Sequence, residues 1–273
     1  MKKVLKKLLA ITLVAMFAIG ASGCGKQENA LTKIKDSGKL VVGTSPDYPP
    51  FEFIVSENGK SKVVGADIEL AQKIADKIGV KLDVKTMDFD ALIPALQAGK
   101  VDMVITGMTP DETRKKAVDF SDIYFKGVNA VVVKADNVDK IKTEDDLKKL
   151  NLGVQKGSTQ ETYVKDTLKK SDYKALKAVP NLMMDLKSGK IDAVVLNNKV
   201  AKINEGKFNG VKIVQNLKLT NGGDEEAMAV AVKKGDNKEF LNLINEEIKS
   251  LNASGEYDKI LSNAVDLVSK ANQ

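Results

Sequence analysis

Ten residues of this chain recur: Leu96-Gln97-Ala98-Gly99-Lys100-Val101-Asp102-Met103-Val104-Ile105 is echoed 90 positions later by Leu186-Lys187-Ser188-Gly189-Lys190-Ile191-Asp192-Ala193-Val194-Val195. Each copy reads as the end of a helix stopped at glycine, followed two or three residues later by a buried strand. A chain that uses this unit twice is drawn toward two α/β lobes of similar build, although helix–glycine–strand is a common unit and its recurrence alone does not require a repeated fold.

The rest of the pattern agrees with an α/β architecture, because apolar runs of strand length alternate with helix-periodic segments. Lys39 to Thr44 predicts a strand, followed by the turn-forming stretch Ser45-Pro46-Asp47-Tyr48-Pro49-Pro50. From Asp67 to Gly79, the spacing of Ile68, Ala71, Ile74, Ala75 and Ile78 predicts a helix with Gly79 as its stop. Lys81 to Thr86 reads as a second strand, Phe89 to Ala98 as a second helix, Val101 to Ile105 and Leu152 to Gln155 as further strands.

The first 23 residues read as an export signal: Lys2, Lys3, Lys6 and Lys7, an apolar run from Leu8 to Ile19, then Gly20-Ala21-Ser22-Gly23. That run is shorter than the roughly 20 residues a spanning helix needs, and no later stretch approaches the length. Cys24 is the single cysteine, so no intrachain disulfide and no cysteine-based metal cluster is available. Its place after small residues resembles the acylated cysteine of bacterial lipoproteins, although that pattern prefers Leu where this chain has Ala21; ordinary cleavage near Ala21 is the alternative. An acyl anchor on Cys24 would hold the protein to a membrane without spanning it, with residues 24–35 as a tether.

Four of the 43 basic residues and none of the 37 acidic ones precede Cys24, which leaves the remainder at +2. Such a balance is not that of a nucleic-acid-binding protein. With no histidine, imidazole-based metal sites and acid–base chemistry are excluded as well. Neither a metal nor a cofactor is expected. About 250 residues suffice for one large or two small domains with a core.

Of the 43 basic residues only Arg114 is arginine. A planar guanidinium grips a carboxylate or phosphate with two parallel hydrogen bonds where an ammonium offers a point charge, so Arg114 marks either an anion site or a structural ion pair. Around it, Thr109 as N-cap, Pro110 at the first helical position and Glu112 three residues on predict a capping box, and Ser158 with Glu161 predicts a second. Free N–H groups at two such helix starts, with Arg114 one turn into the first, suggest two halves of a carboxylate cradle. Each box taken singly is most often just a helix cap.

Several motifs in order carry a resemblance over nearly the whole length: Gly43-Thr44-Ser45-Pro46-Asp47-Tyr48-Pro49-Pro50-Phe51, Val64-Gly65-Ala66-Asp67-Ile68-Glu69-Leu70-Ala71, Asp88-Phe89-Asp90-Ala91-Leu92-Ile93-Pro94-Ala95-Leu96, Thr106 to Arg114, Val154 to Glu161 and Asp192-Ala193-Val194-Val195. The chain resembles the extracellular solute-binding proteins of ABC transporters for polar amino acids. The resemblance implies a two-lobed periplasmic-binding-protein fold with the ligand in the cleft between lobes, residues 36–129 and 225–273 forming lobe 1 and 130–224 lobe 2. It places Arg114 on the ligand α-carboxylate with Thr109 and, from the other lobe, Thr159; the Gly107 carbonyl and position 197 on the α-ammonium; and Tyr48 and Phe89 against the side chain, with Ser45, Asp47 and Glu52 nearby. Plain core packing is the alternative for the two rings. The partners it implies are an amino acid and a membrane permease, for a monomer outside the cytoplasm that closes around its ligand.

One departure stands out. Family members commonly carry a carboxylate where this chain has Asn197, and a closed cleft holding an unpaired cation binds weakly. Either Asp47, Glu52 or an acid of Asp224-Glu225-Glu226 compensates, or the ligand is not a standard α-amino acid. Asp47 and Glu52, expected at the pocket mouth, also suggest a cationic side chain, although exposed carboxylates beside prolines are usually only solvated. Two other functions fit the fold: a dehydratase of the cyclohexadienyl type, for which no cleft carboxylate stands out as general acid, and a surface adhesin or sensor.

Overall fold

The computed structural model describes residues 29–57, 59–220, 225–235 and 237–271. The expected signal segment and Cys24 lie outside them. The tether does not extend to residue 35: Asn29 caps helix α1 (Ala30–Ser37) by accepting from the Leu31 N–H, and α1 buries Leu31 and Ile34. Two apolar residues one turn apart are enough to hold this short segment on the core rather than in solvent.

Strand β1 (Lys39–Thr44) leads to the short β2 (Asp47–Tyr48), which forms a small antiparallel sheet with β3 (Glu52–Glu57) and β4 (Lys60–Val64). Helix α2 (Ala66–Ile78) buries Ala66, Asp67, Leu70, Ala71, Ile74, Ala75 and Ile78, and ends at Gly79 with φ +85°. Strand β5 (Lys81–Thr86) then pairs parallel with β1 in register from Lys39↔Lys81 to Thr44↔Thr86.

The expected single helix from Phe89 is instead a 3₁₀ turn (Phe89–Ala91) followed by α3 (Leu92–Gln97). Pro94 lacks the N–H that an α-helix starting at Phe89 would give to the Asp90 carbonyl, so regular α geometry begins later. The strand expected over 101–105 pairs fully only as β6 (Met103–Val104). Helix α4 (Glu112–Ala117) runs into β7 (Val118–Lys134), the longest strand at 17 residues.

Further on come α5 (Glu144–Lys148), β8 (Leu152–Gln155), α6 (Thr159–Thr162), β9 (Tyr173–Leu176), α7 (Val179–Ser188), β10 (Ala193–Asn197), α8 (Asn198–Lys207) and β11 (Val211–Ile213). The chain returns through β12 (Glu225–Lys233) and closes with α9 (Lys238–Ser254) and α10 (Glu256–Ala271). Strand order is β5-β1-β6-β12-β7-β10-β8-β9, with β11 also on β7. Strand β7 pairs antiparallel with β12 from Val118 to Val128 and with β10 from Asn129 to Val133, so one continuous strand joins two groups of parallel strands. Partly separate apolar clusters fill the two sides, one around Leu92, Val104 and Met108 and another around Val131, Leu152 and Val195.

The ten-residue echo has a shared structural cause. In the first copy, Asp102 N–H donates to the Val41 carbonyl at 2.7 Å while the Val41 N–H donates to the Asp102 carboxylate at 2.8 Å. In the second, Asp192 N–H donates to the Asn151 carbonyl at 2.8 Å and Asn151 N–H to the Asp192 carboxylate at 2.9 Å. Each aspartate closes a two-bond ring onto the start of the neighbouring parallel strand, satisfying a backbone donor the ladder has not yet reached.

Candidate functional site

A cavity lies where the β2, 3₁₀ and Thr106–Arg114 segments meet the Gln155–Gln160 segment, with Glu226 of β12 as a further wall. It gathers Asp47, Tyr48, Glu52, Phe89, Gly107, Thr109, Arg114 and Thr159 of the predicted residues. Ser45 and Asn197 do not line it. Contacts that bridge the two sides include Arg114 Nη2 to the Gly157 carbonyl at 2.8 Å, Gln155 Nε2 and the Val179 N–H to the Asp47 carboxylate at 3.1 and 2.8 Å, and ion pairs Lys156–Asp90 at 2.8 Å and Lys177–Asp88 at 2.7 Å. The cleft is closed.

Arg114 is 8% exposed. Its Nη1 donates to the Thr109 carbonyl at 2.7 Å, its Nη2 to the Gly157 carbonyl, and its Nε lies 3.3 Å from the Asp111 carboxylate. The Phe89 ring lies under the guanidinium, 5.3 Å from centroid to Cζ. Of five guanidinium donors these contacts occupy three, leaving one N–H on each terminal nitrogen, the fork that a carboxylate accepts. Burial pushes the guanidinium pKa down, while Asp111 and Glu226 oppose the shift.

The predicted cap at Thr109 is corrected. Asp111 is the N-cap of α4, its carboxylate accepting from the Thr113 and Arg114 N–H groups at 2.9 and 2.8 Å. With aspartate as the cap the helix starts at Glu112, two residues later than a Thr109 cap would start it, and the donors served are Thr113 and Arg114. Thr109 Oγ1 is thereby left buried without a partner in the cavity wall, a hydroxyl free for a ligand. Opposite it, Ser158 caps α6 by accepting from the Glu161 N–H at 3.1 Å. Glu161 does not complete the reciprocal box; its carboxylate takes the Gly157 N–H at 2.6 Å instead. That bond helps fix Gly157, whose φ of +77° aims its carbonyl at Arg114.

Three acids face the cavity, against one base. Glu52 is not at an exposed mouth: it is 0% exposed and accepts from Thr106 Oγ1 at 2.9 Å. Burial raises its pKa well above the carboxylate range, with the Asp67 charge adding to the shift. Asp67, pushed up by burial to about 6, accepts from the Gly107 N–H and the Tyr124 hydroxyl, both at 2.8 Å. Glu52 Oε2 and Asp67 Oδ1 meet no amide or hydroxyl donor. They satisfy each other when Glu52 carries a proton and donates it to Asp67. This pair sets the backbone of Gly107, which has φ +55° and where a Cβ would lie 3.2 Å from the Tyr48 ring. Asp47 is half-buried, with its pKa raised by burial against bonds from Val179, Ser45 and Gln155.

Glu226, 4% exposed, accepts from Gln160 Nε2 at 3.3 Å, the Tyr48 hydroxyl at 3.4 Å and the Asn197 amide. Burial raises its pKa to about 7. The expectation that no cleft carboxylate stands out is therefore corrected. Asn197 is 0% exposed and lies behind Glu226, and Ser45 donates to Asp47 at 3.1 Å. Gln155 and Gln160 were not anticipated; nothing local marks a glutamine as facing a cavity. Among the described residues no cluster of acidic or sulfur ligands is fit to hold a metal, and no helix is long and apolar enough to cross a membrane.

The sequence and the fold have relatives. The model of "Bacterial extracellular solute-binding proteins, family 3" matches residues 40–265. The arginine-binding extracellular protein ArtP of Bacillus subtilis is 35% identical, over 94% of this chain and 96% of its own. An amino acid ABC transporter substrate-binding protein of Streptococcus pneumoniae, solved with L-arginine bound, superposes with a TM-score of 0.83 at 36% identity, over 87% of this chain and 98% of its own. An ancestral amino acid-binding protein, AncCDT-1, a precursor of cyclohexadienyl dehydratase, gives 0.77 at 35% identity over 87% and 100%. With its two-lobed α/β fold and family match across nearly its whole length, this chain belongs to the bacterial extracellular solute-binding proteins of family 3.

Proposed function

We propose that this protein captures an amino acid with a cationic side chain outside the membrane and delivers it to an ABC permease by closing its cleft. The observation that carries this reading is Arg114, a buried guanidinium in the wall of the cavity, bonded to carbonyls on both sides and with one N–H on each terminal nitrogen left for a ligand. The α-carboxylate sits on that fork, with Thr109 and Thr159 completing its hydrogen bonds, and the Gly107 carbonyl takes the α-ammonium. Tyr48 and Phe89 flank the side chain, and the acids Asp47, Glu52 and Glu226 against the single base favour a positive charge on it. Arginine in the pneumococcal relative and in the name of ArtP agrees with this preference.

Residues 36–129 and 225–273 form lobe 1 and 130–224 lobe 2, the division falling where β7 leaves β12 for β10. Binding contacts from both lobes select the closed state. The protein works as a monomer, released from its signal segment and anchored by acylation of Cys24. Small-angle scattering tests closure: the radius of gyration of protein stripped of ligand is expected to fall on adding L-arginine. An unchanged radius, with L-arginine shown to bind, contradicts the mechanism.

Glu226 gives an enzyme on this fold its one specific support, a buried carboxyl with a pKa of about 7 in the cleft. Binding without turnover is the reading favoured by the relatives; conversion of prephenate or arogenate by the purified protein would establish the other.

A further inference from the structure

Asn197 has spent its acceptor. Its Oδ1 caps α8, taking the Lys199 N–H at 2.7 Å and the Val200 N–H at 3.4 Å. Those two backbone donors fix which way the amide points, because an NH₂ group in that place would face them donor to donor. What Asn197 turns toward the cleft is therefore its NH₂, a donor, and that group donates to Glu226 Oε2. No atom of this side chain is available to accept from an ammonium.

Glu226 presents the opposite case. It lines the cavity, is almost wholly buried, and is held by neutral donors alone: Asn197, Gln160 and Tyr48. Gln160 is itself steadied, its amide also donating to Asn129 at 2.7 Å, and the Tyr48 hydroxyl is fixed by accepting from the Asn197 N–H at 3.2 Å. Arg114 acts on Glu226 through space and not through a hydrogen bond. A buried carboxylate braced on three sides, with no cation bonded to it and one side on an amino acid cavity, is incomplete without a positive ligand group.

We infer that Glu226 of β12 is the counter-charge for the ligand α-ammonium, and that Asn197 is neutral so that it can hold Glu226 in place. This assignment rests on the amino acid reading above and names the residue that makes it work in this chain. It also explains why position 197 is not acidic: an aspartate there would cap α8 equally well but set a second carboxylate against Glu226 in a dry site, a repulsion that only a shared proton relieves.

Three probes separate the possibilities: L-arginine, 5-guanidinopentanoate, which lacks the α-ammonium, and L-citrulline, which lacks the charged side chain. Titrated calorimetrically, Glu226→Gln is expected to weaken L-arginine and L-citrulline by about 30-fold or more. It should leave 5-guanidinopentanoate within about threefold of wild type. The double variant Asn197→Asp with Glu226→Gln, which moves the charge by one hydrogen bond, is expected to recover most of the loss and also shows that the substituted site still folds. Equal weakening of L-arginine and 5-guanidinopentanoate, or no weakening of either, overturns the assignment while leaving amino acid capture standing. If wild type takes L-glutamine rather than L-arginine, the comparison is made with L-glutamine and its deaminated analogue, since the ammonium is common to both ligands. Failure of all twenty amino acids to bind wild type overturns the amino acid reading and this assignment together.

Discussion

Replacing Arg114 by lysine removes a fork and leaves a charge. In the closed cleft the guanidinium spends one N–H on the Thr109 carbonyl, one on Gly157 across the cleft and one toward Asp111, and keeps two for the ligand. A lysine ammonium has three donors in all, so it cannot hold both carbonyls and also grip two carboxylate oxygens. At least one charge-assisted bond to the ligand is lost, at about 1.5–3 kcal/mol, and the bond to Gly157 that favours closure weakens with it. Together these predict a loss of about 2–4 kcal/mol, or about 30- to 1000-fold in Kd, read by isothermal titration of Arg114→Lys against wild type. The melting temperature of the ligand-free protein should fall by only a few degrees, on the order expected for about 1 kcal/mol in a chain of this size. A Kd within about threefold of wild type would refute the fork. A collapse of the melting temperature would instead assign Arg114 to the fold.

Other predictions concern the surroundings of the same cleft. Gly107→Ala forces a β-carbon to 3.2 Å from the Tyr48 ring at φ +55°, and should lower both stability, by about 1–2 kcal/mol, and affinity; equal melting curves and equal Kd values contradict it. Lys156→Ala with Lys177→Ala removes the ion pairs to Asp90 and Asp88 that cross the cleft, so stopped-flow release should quicken by up to about fivefold at low salt and converge with wild type at high salt. Ligand affinity should fall as pH drops below about 7, because Glu226, raised to about 7 by burial and faced by the ionisable Tyr48 and Arg114, then takes up a proton that an ammonium must displace; Glu226→Gln should flatten that profile. Glu52 and Asp67 act on stability. Both have folded-state pKa values above their unfolded ones, so their contribution is full below the usual carboxylate range and is lost as pH rises through about 6 and beyond; melting of Glu52→Gln should depend less on pH over that range.

What the sequence disclosed and what it hid divide along the range of the interactions. Strands such as Lys39–Thr44 and Leu152–Gln155, and the stop of α2 at Gly79, are written in local pattern and left-handed glycine geometry, and the chain shows them as read. Arg114 was conspicuous because every other basic residue is lysine. The cap was misread because Thr109 and Asp111 each satisfy a local rule, and only the competition between them decides. Glu52 was expected to be solvated because its neighbours are prolines, yet β3 pairing with β2 and β4 turns it inward onto Thr106. Glu226 lay in an acidic run with nothing to single it out; its place follows from the pairing of β12 with β7 across nearly 100 residues, which no local pattern encodes. The departure at Asn197 was visible in sequence, and its meaning was not, because the side chain that answers it comes from another strand.

Capture of a cationic amino acid is the central claim, and calorimetric titration of the twenty amino acids into the chain from Gly25 to Gln273, unfolded and refolded to strip carried ligand, tests it most directly. L-arginine or L-lysine binding tightly, with L-glutamate and L-aspartate giving no heat, is the result predicted. Preference for an acidic amino acid, or no binding by any of the twenty, would contradict it.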